Sequence, residues 1–118
     1  MHNYKYIITI LTWPESRSSG IEAKNLFNQS KHGISFEEAS QVFLDPLHVT
    51  VDDRVVDREQ RWQTIGMARR PAGNLLLLLV AHTVCEDLEP GTFIDVVRII
   101  SARKATPEER KSYEDENG

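Results

Sequence analysis

Leu75 to Ala81 is an unbroken apolar run, five leucines followed by Val80 and Ala81, and it restricts the fold more than any other segment. Seven residues cannot cross a bilayer as a helix, which needs about 20 apolar residues. Bounded by Asn74 on one side and extended through His82-Thr83, the run reads as a buried strand. A strand that is apolar on both faces belongs at the centre of a sheet, with the helices expected on one side of it.

The rest of the chain alternates around that strand without a domain break. Tyr4 to Thr12, rich in aromatic and β-branched residues, predicts a strand, and Pro14 to Gly20 a polar loop. Ile21 to Lys31 predicts a helix with Leu26 and Phe27 toward the core, weakened by Asn25, Asn28 and Gln29. Phe36 to Leu44 predicts a second helix, because Phe36, Ala39, Val42 and Phe43 form one stripe. Asp45-Pro46 should stop it, since a residue before proline avoids the α region. The period then changes to two. His48 to Val51 is a short strand, Asp52 to Asp57 a charged connection, and Arg61 to Gly66 a strand with Trp62, Thr64 and Gly66 on one face. Arg69 to Asn74 should turn, and Glu86 to Thr92 reads as an acidic turn. Phe93 to Lys104 is the last strand, with Val97, Ile99 and Ser101 expected on one face and Arg98, Ile100 and Ala102 on the other. Thr106-Pro107-Glu108-Glu109 is a capping box with proline at the first helical position, starting a helix to about Tyr113. The expected fold is α+β, a mainly antiparallel sheet with two N-terminal helices and a short C-terminal helix.

Composition narrows the function. A chain of 118 residues predicts a single domain over 1–118. The net charge of −4 gives no global attraction to nucleic acid, so any nucleic-acid surface must be a local basic face. The lone Cys85 excludes an internal disulfide and fits a reducing compartment, so the expectation is a cytoplasmic protein with no membrane partner. The four histidines and the cysteine show no metal-ligand spacing, and no glycine-rich phosphate loop is present.

The segment Lys31-His32-Gly33-Ile34-Ser35-Phe36-Glu37-Glu38-Ala39 places a cation and a titratable ring at a helix corner. Gly33 can end one helix at positive φ, and Ser35 with Glu38 forms a capping box that starts the next. Together with Val42-Phe43-Leu44-Asp45-Pro46, this segment resembles the signature of the BrnT toxin family. Glu59-Gln60-Arg61-Trp62-Gln63-Thr64-Ile65-Gly66, Val80-Ala81-His82-Thr83, and Arg98 to Thr106 with Glu109, Arg110 and Tyr113 fit in the same order. The resemblance covers roughly three-quarters of the chain, from about Glu22, and several motifs in register make it specific. It implies a RelE-like fold and a ribonuclease toxin of a type II toxin–antitoxin pair, which cleaves RNA and so arrests translation. The implied partners are RNA and a BrnA-type DNA-binding antitoxin, with operator DNA reached only through the toxin–antitoxin complex. The implied assemblies are a homodimer or a heterotetramer with the antitoxin. No cofactor is implied. The chain departs from the family pattern at Gly20-Ile21, where a Trp-Asp pair is usual, and at Ser30, where an arginine is usual.

Metal-independent RNA cleavage uses the 2′-hydroxyl as nucleophile. It needs a group to move protons and cations to hold the phosphate. Histidine suits the first task and arginine or lysine the second. The catalytic candidates are therefore His32, Lys31, Arg61 and Arg103, with Lys104 and His82 as substrate-binding candidates. Each has a structural alternative. Lys31 and His32 can serve the carbonyls and dipole of a helix end. His82 can be a hydrogen-bonded residue at the sheet margin, Arg61 can pair with Glu59, and Arg103 and Lys104 can simply solubilise an edge. Three readings stay open: a ribonuclease, a catalytically weakened antitoxin-binding module, and an RNA-binding protein without turnover.

Overall fold

A computed structural model describes residues 19–89 and 92–117. The expected Tyr4–Thr12 strand and most of the loop after it lie outside the described residues. The order is α1 (Ser19–His32), α2 (Phe36–Ala39) continued by a 3₁₀ turn (Ser40–Leu44), β1 (Val49–Val56), β2 (Glu59–Arg69), β3 (Leu75–Glu89), β4 (Thr92–Lys104) and α3 (Pro107–Asn117). The four strands form one antiparallel sheet in the order β1-β2-β3-β4, so the leucine run lies in an interior strand as expected.

Local signals act where the sequence puts them. Gly33 at φ +72° ends α1, and its N–H donates to the Gln29 carbonyl at 2.9 Å. The Ser35 hydroxyl accepts from Glu38 N–H at 3.1 Å, while the Glu38 carboxylate accepts from Ser35 N–H at 3.3 Å. Asp45, extended at ψ 116° before Pro46, closes the second helical segment. That segment is not one α-helix, however. It tightens to 3₁₀ after Ala39, where Val42 must fit against Gly66: a Cβ on Gly66 would lie 2.8 Å from the Val42 carbonyl oxygen.

Two expected connections are strand. Asp52 to Val56 belongs to β1, because Asp57 (φ +50°) and Arg58 (φ +65°) make the tight turn and let both strands run up to it. The acidic segment after Thr83 also pairs, with register continuing from Val84↔Val97 to Glu89↔Thr92. On β4 the register steps from Ala81↔Ser101 to His82↔Ile99, a bulge that leaves Ile100 without a partner. The bulge resets the alternation: Val97, Ile99 and Ala102 face the core, and Arg98, Ser101 and Arg103 share the opposite face.

Helices cover both faces, where one was expected. Ile34, Phe36, Ala39 and Val42 pack on Ala68, Leu78, Val80, Val97, Ile99 and Ala102. On the other face Ile65, Leu77 and Leu79 pack against Tyr113 of α3. The Tyr113 hydroxyl donates to Asp45 at 2.7 Å, and burial with this hydrogen bond pushes its pKa up to about 12. Burial works to raise the Asp45 carboxyl. Hydrogen bonds from Met67 N–H, the Tyr113 hydroxyl and Leu47 N–H outweigh it and leave the pKa below the ordinary value.

Side chains complete the strand edges. Beyond Val49↔Ile65, β2 has no pairing with β1, and there Asp45 accepts from Met67 N–H at 2.9 Å. Gln41 pairs with both the N–H and the carbonyl of Arg69, at 2.8 and 2.9 Å. On β4, Asn28 of α1 accepts from Ala102 N–H at 3.0 Å and donates to the Ala102 carbonyl at 2.8 Å. It also donates to the Ile34 carbonyl at 2.8 Å. The expected core residues of α1, Leu26 and Phe27, are exposed instead, and the helix is seated by its buried asparagine.

Candidate active site

Asn28 holds α1 against the edge of β4 and thereby sets a groove between them. Ala23, Lys24, Phe27, Lys31 and His32 line it from the helix with Asn28, and Ile100 and Ser101 line it from the strand; its volume is about 480 Å³. The bulge at Ile100 is what brings two consecutive strand residues to this rim. Lys31 and His32 occupy the last turn of α1, the favourable end of the helix dipole for cations. The Lys31 ammonium lies 5.9 Å from the centroid of the Phe27 ring.

Ser101 also belongs to the sheet face opposite α2, which joins the groove to a second set of cations. The floor there is small: Ala81 pairs with Ser101 on one side and with Gln63 on the other. Arg61 lies on the same face of β2 as Gln63, and Arg98 and Arg103 lie on either side of Ser101 on β4. Arg103 makes a two-point ion pair with Glu109, at 2.7 and 2.9 Å. The hydrogen bond to Glu109 holds the Arg103 pKa above its usual value, and the same bond holds the Glu109 carboxyl below its own. Glu109 also accepts from Thr106 N–H at 2.9 Å, so one carboxylate both caps α3 and orients the arginine. Arg98 reaches over β3 to Glu59 at 2.6 Å, and Thr83, its partner in β3, is fully buried. Glu59 thus pairs with Arg98, not with Arg61. Nε of Arg61, Nε of Arg98 and Oγ1 of Thr83 are buried with no hydrogen-bond partner among the described residues.

Two of the expected site residues lie elsewhere. His82 is only 2% exposed and sits on the α2 side of the sheet, a correction to its expected role in binding substrate. Its Nε2 is 2.7 Å from the Thr64 hydroxyl, which is itself 2.7 Å from the Thr50 hydroxyl, and its ring meets Phe43 edge-on at 4.9 Å. Burial lowers its pKa to about 4 and keeps the imidazole neutral in the core. Lys104 pairs with Leu78 and so projects from the face opposite Arg103. Arg61 and Arg103 share one face, and Lys31 and His32 stand at its rim. Phe27, Arg98 and Ser101 are not legible as site residues in the sequence: the first reads as core, and only the bulge moves Ser101 away from the Val97–Ile99 face to the one that carries Arg98. Among the described residues, no three His, Cys, Asp or Glu side chains group closely enough to hold a metal ion.

The α+β fold thus brings the lysines of the α1 groove beside a sheet face that carries Arg61, Arg98 and Arg103. The family model for the ribonuclease toxin BrnT of type II toxin–antitoxin systems matches residues 22–109, about three-quarters of the chain. The chain belongs to this family, that of ribonuclease toxins, and so has a protein antitoxin as its counterpart. A search of curated proteins finds no match. Among the described residues, no helix is long and apolar enough to cross a membrane.

Proposed function

We propose that this chain is a single-domain, RelE-like, cytoplasmic endoribonuclease that cuts RNA without a metal ion and so inhibits translation and growth. The observation that carries the reading is the meeting, at Ser101, of the Lys24-Lys31-His32 groove with the face that bears Arg61, Arg98 and Arg103. In this mechanism a ribose 2′-hydroxyl gives up its proton and attacks the adjacent phosphorus. The bond to the 5′-oxygen breaks, and that oxygen leaves with a proton, giving a 2′,3′-cyclic phosphate and a 5′-hydroxyl. His32 moves a proton, because imidazole is the side chain suited to both halves of such a transfer. Lys31, Arg61 and Arg103 stabilise the additional negative charge on the phosphoryl oxygens. A BrnA-type antitoxin neutralises the chain by covering this surface, and the complex binds operator DNA through the antitoxin.

Expression of the chain alone should slow growth, and His32→Ala, Arg61→Ala or Arg103→Ala should relieve that effect in soluble, folded protein. Full toxicity in all three variants would remove these residues from the mechanism. A second reading, a catalytically weakened binding module, is favoured by one observation: Arg98 and Arg103 are already engaged by Glu59 and Glu109. It predicts a protein that captures its antitoxin and leaves RNA uncut.

A further inference from the structure

We propose that Phe27 is a stacking platform for one unpaired RNA base, which enters the groove between α1 and β4 with its flanking phosphates on Lys24 and Lys31. The proposal rests on the ribonuclease reading of the same groove and names how that groove grips its substrate. Phe27 is 65% exposed and belongs to neither core cluster of the described residues, so packing among them does not account for a large aromatic ring at this position. Lys24 and Lys31 lie three residues before and four residues after it, the spacings that share one face of a helix. The Lys31 ammonium is 5.9 Å from the ring centroid. In a chain of net charge −4, the groove collects two lysines, His32, the Ser101 hydroxyl and one exposed ring. An anion joined to a flat apolar surface fits that set, and a nucleotide is such a ligand. The volume of about 480 Å³ lies within the ~300–1,000 Å³ of ordinary ligand pockets. Leu26 is also exposed but does not line the groove, so a docked protein helix and a stacked base make different use of the two neighbours.

The test is anisotropy binding of a 2′-O-methyl oligoribonucleotide, which cannot be cleaved by 2′-hydroxyl attack, over a range of salt. Phe27→Ala should weaken binding ~10-fold, consistent with base–aromatic stacking, and leave the salt slope unchanged. Phe27→Trp should retain affinity and Leu26→Ala should leave it unaltered. Lys24→Ala or Lys31→Ala should lower the salt slope by about 0.7 each. Replacing the stacked nucleotide by an abasic one should weaken wild-type binding to the same degree and erase the effect of Phe27→Ala. Folded Phe27→Ala that binds RNA as wild type does overturns the proposal. So does a wild type that binds no RNA, or a loss confined to antitoxin binding and shared by Leu26→Ala. Binding that depends on Phe27 in a protein that leaves natural RNA intact would retain the platform and reject the nuclease. Cleaving protein in which Phe27→Ala binds normally would do the reverse.

Discussion

Asn28→Ala tests how the groove is built. The Asn28 amide makes three hydrogen bonds, to Ala102 N–H, the Ala102 carbonyl and the Ile34 carbonyl, and the residue is buried. Removing it leaves one backbone donor and two acceptors without their partner, and each buried group so orphaned costs about 1–3 kcal/mol. Water entering from the adjacent groove recovers part of this, so the expected loss is about 3 kcal/mol, a large share of the ~5–15 kcal/mol of a typical domain. For a chain of this size that corresponds to a fall in Tm of about 10 °C. Asn28→Asp should be at least as damaging, because it keeps the acceptor for Ala102 N–H but turns a carboxylate oxygen toward two carbonyls. Urea denaturation gives the stability directly. RNA cleavage, measured where each variant is fully folded, should fall as well, because α1 carries Lys31 and His32 in its last turn. Asn28→Ala within 0.5 kcal/mol of wild type, a change on the order of a neutral surface substitution, would refute the role of this amide in seating the helix.

Gly66→Ala would place a Cβ 2.8 Å from the Val42 carbonyl oxygen and 2.9 Å from its Cβ, so it should destabilise by about 1–3 kcal/mol in denaturation experiments. Stability should fall with acid through His82. Its pKa is lowered from 6.5 to about 4, so between those values the unfolded chain takes up the proton that the folded chain refuses. The contribution is complete above pH 6.5 and declines as pH drops toward 4, and His82→Gln should flatten that part of the profile. Tyr113→Phe leaves the Asp45 carboxylate without its hydroxyl donor and should cost about 1–2 kcal/mol by thermal or urea unfolding, with α3 loosened before the sheet. Glu109→Gln should weaken both the cap of α3 and the hold on Arg103, and cleavage that rises in this folded variant would mark the ion pair as a restraint on the arginine.

The features legible in the sequence are those decided within a few residues. Gly33, the Ser35–Glu38 and Thr106–Glu109 boxes and Asp45-Pro46 all act through backbone groups next to them, and each stands where the pattern put it. The leucine run is legible for the same reason, because alternation alone makes both faces of β3 apolar. Asn28, Gln41 and Asp45 are opaque: Asn28 reads as a weak helix former, Asp45 as a stop signal and Gln41 carries no signal, while their work is to pair with strand edges 22 to 74 residues away. The bulge at Ile100 is invisible to a period of two, and it decides that Ser101 joins Arg98 on the face of the site. Phe27 misled because an aromatic ring in a helix usually faces a core.

The most direct test of the account is incubation of purified, folded protein with RNA in the presence of a chelator, followed by analysis of the product ends. Cleavage should persist without divalent metal, yield 2′,3′-cyclic phosphate termini and be lost in His32→Ala. Intact RNA, or products with 3′-hydroxyl ends formed only when metal is restored, would contradict it.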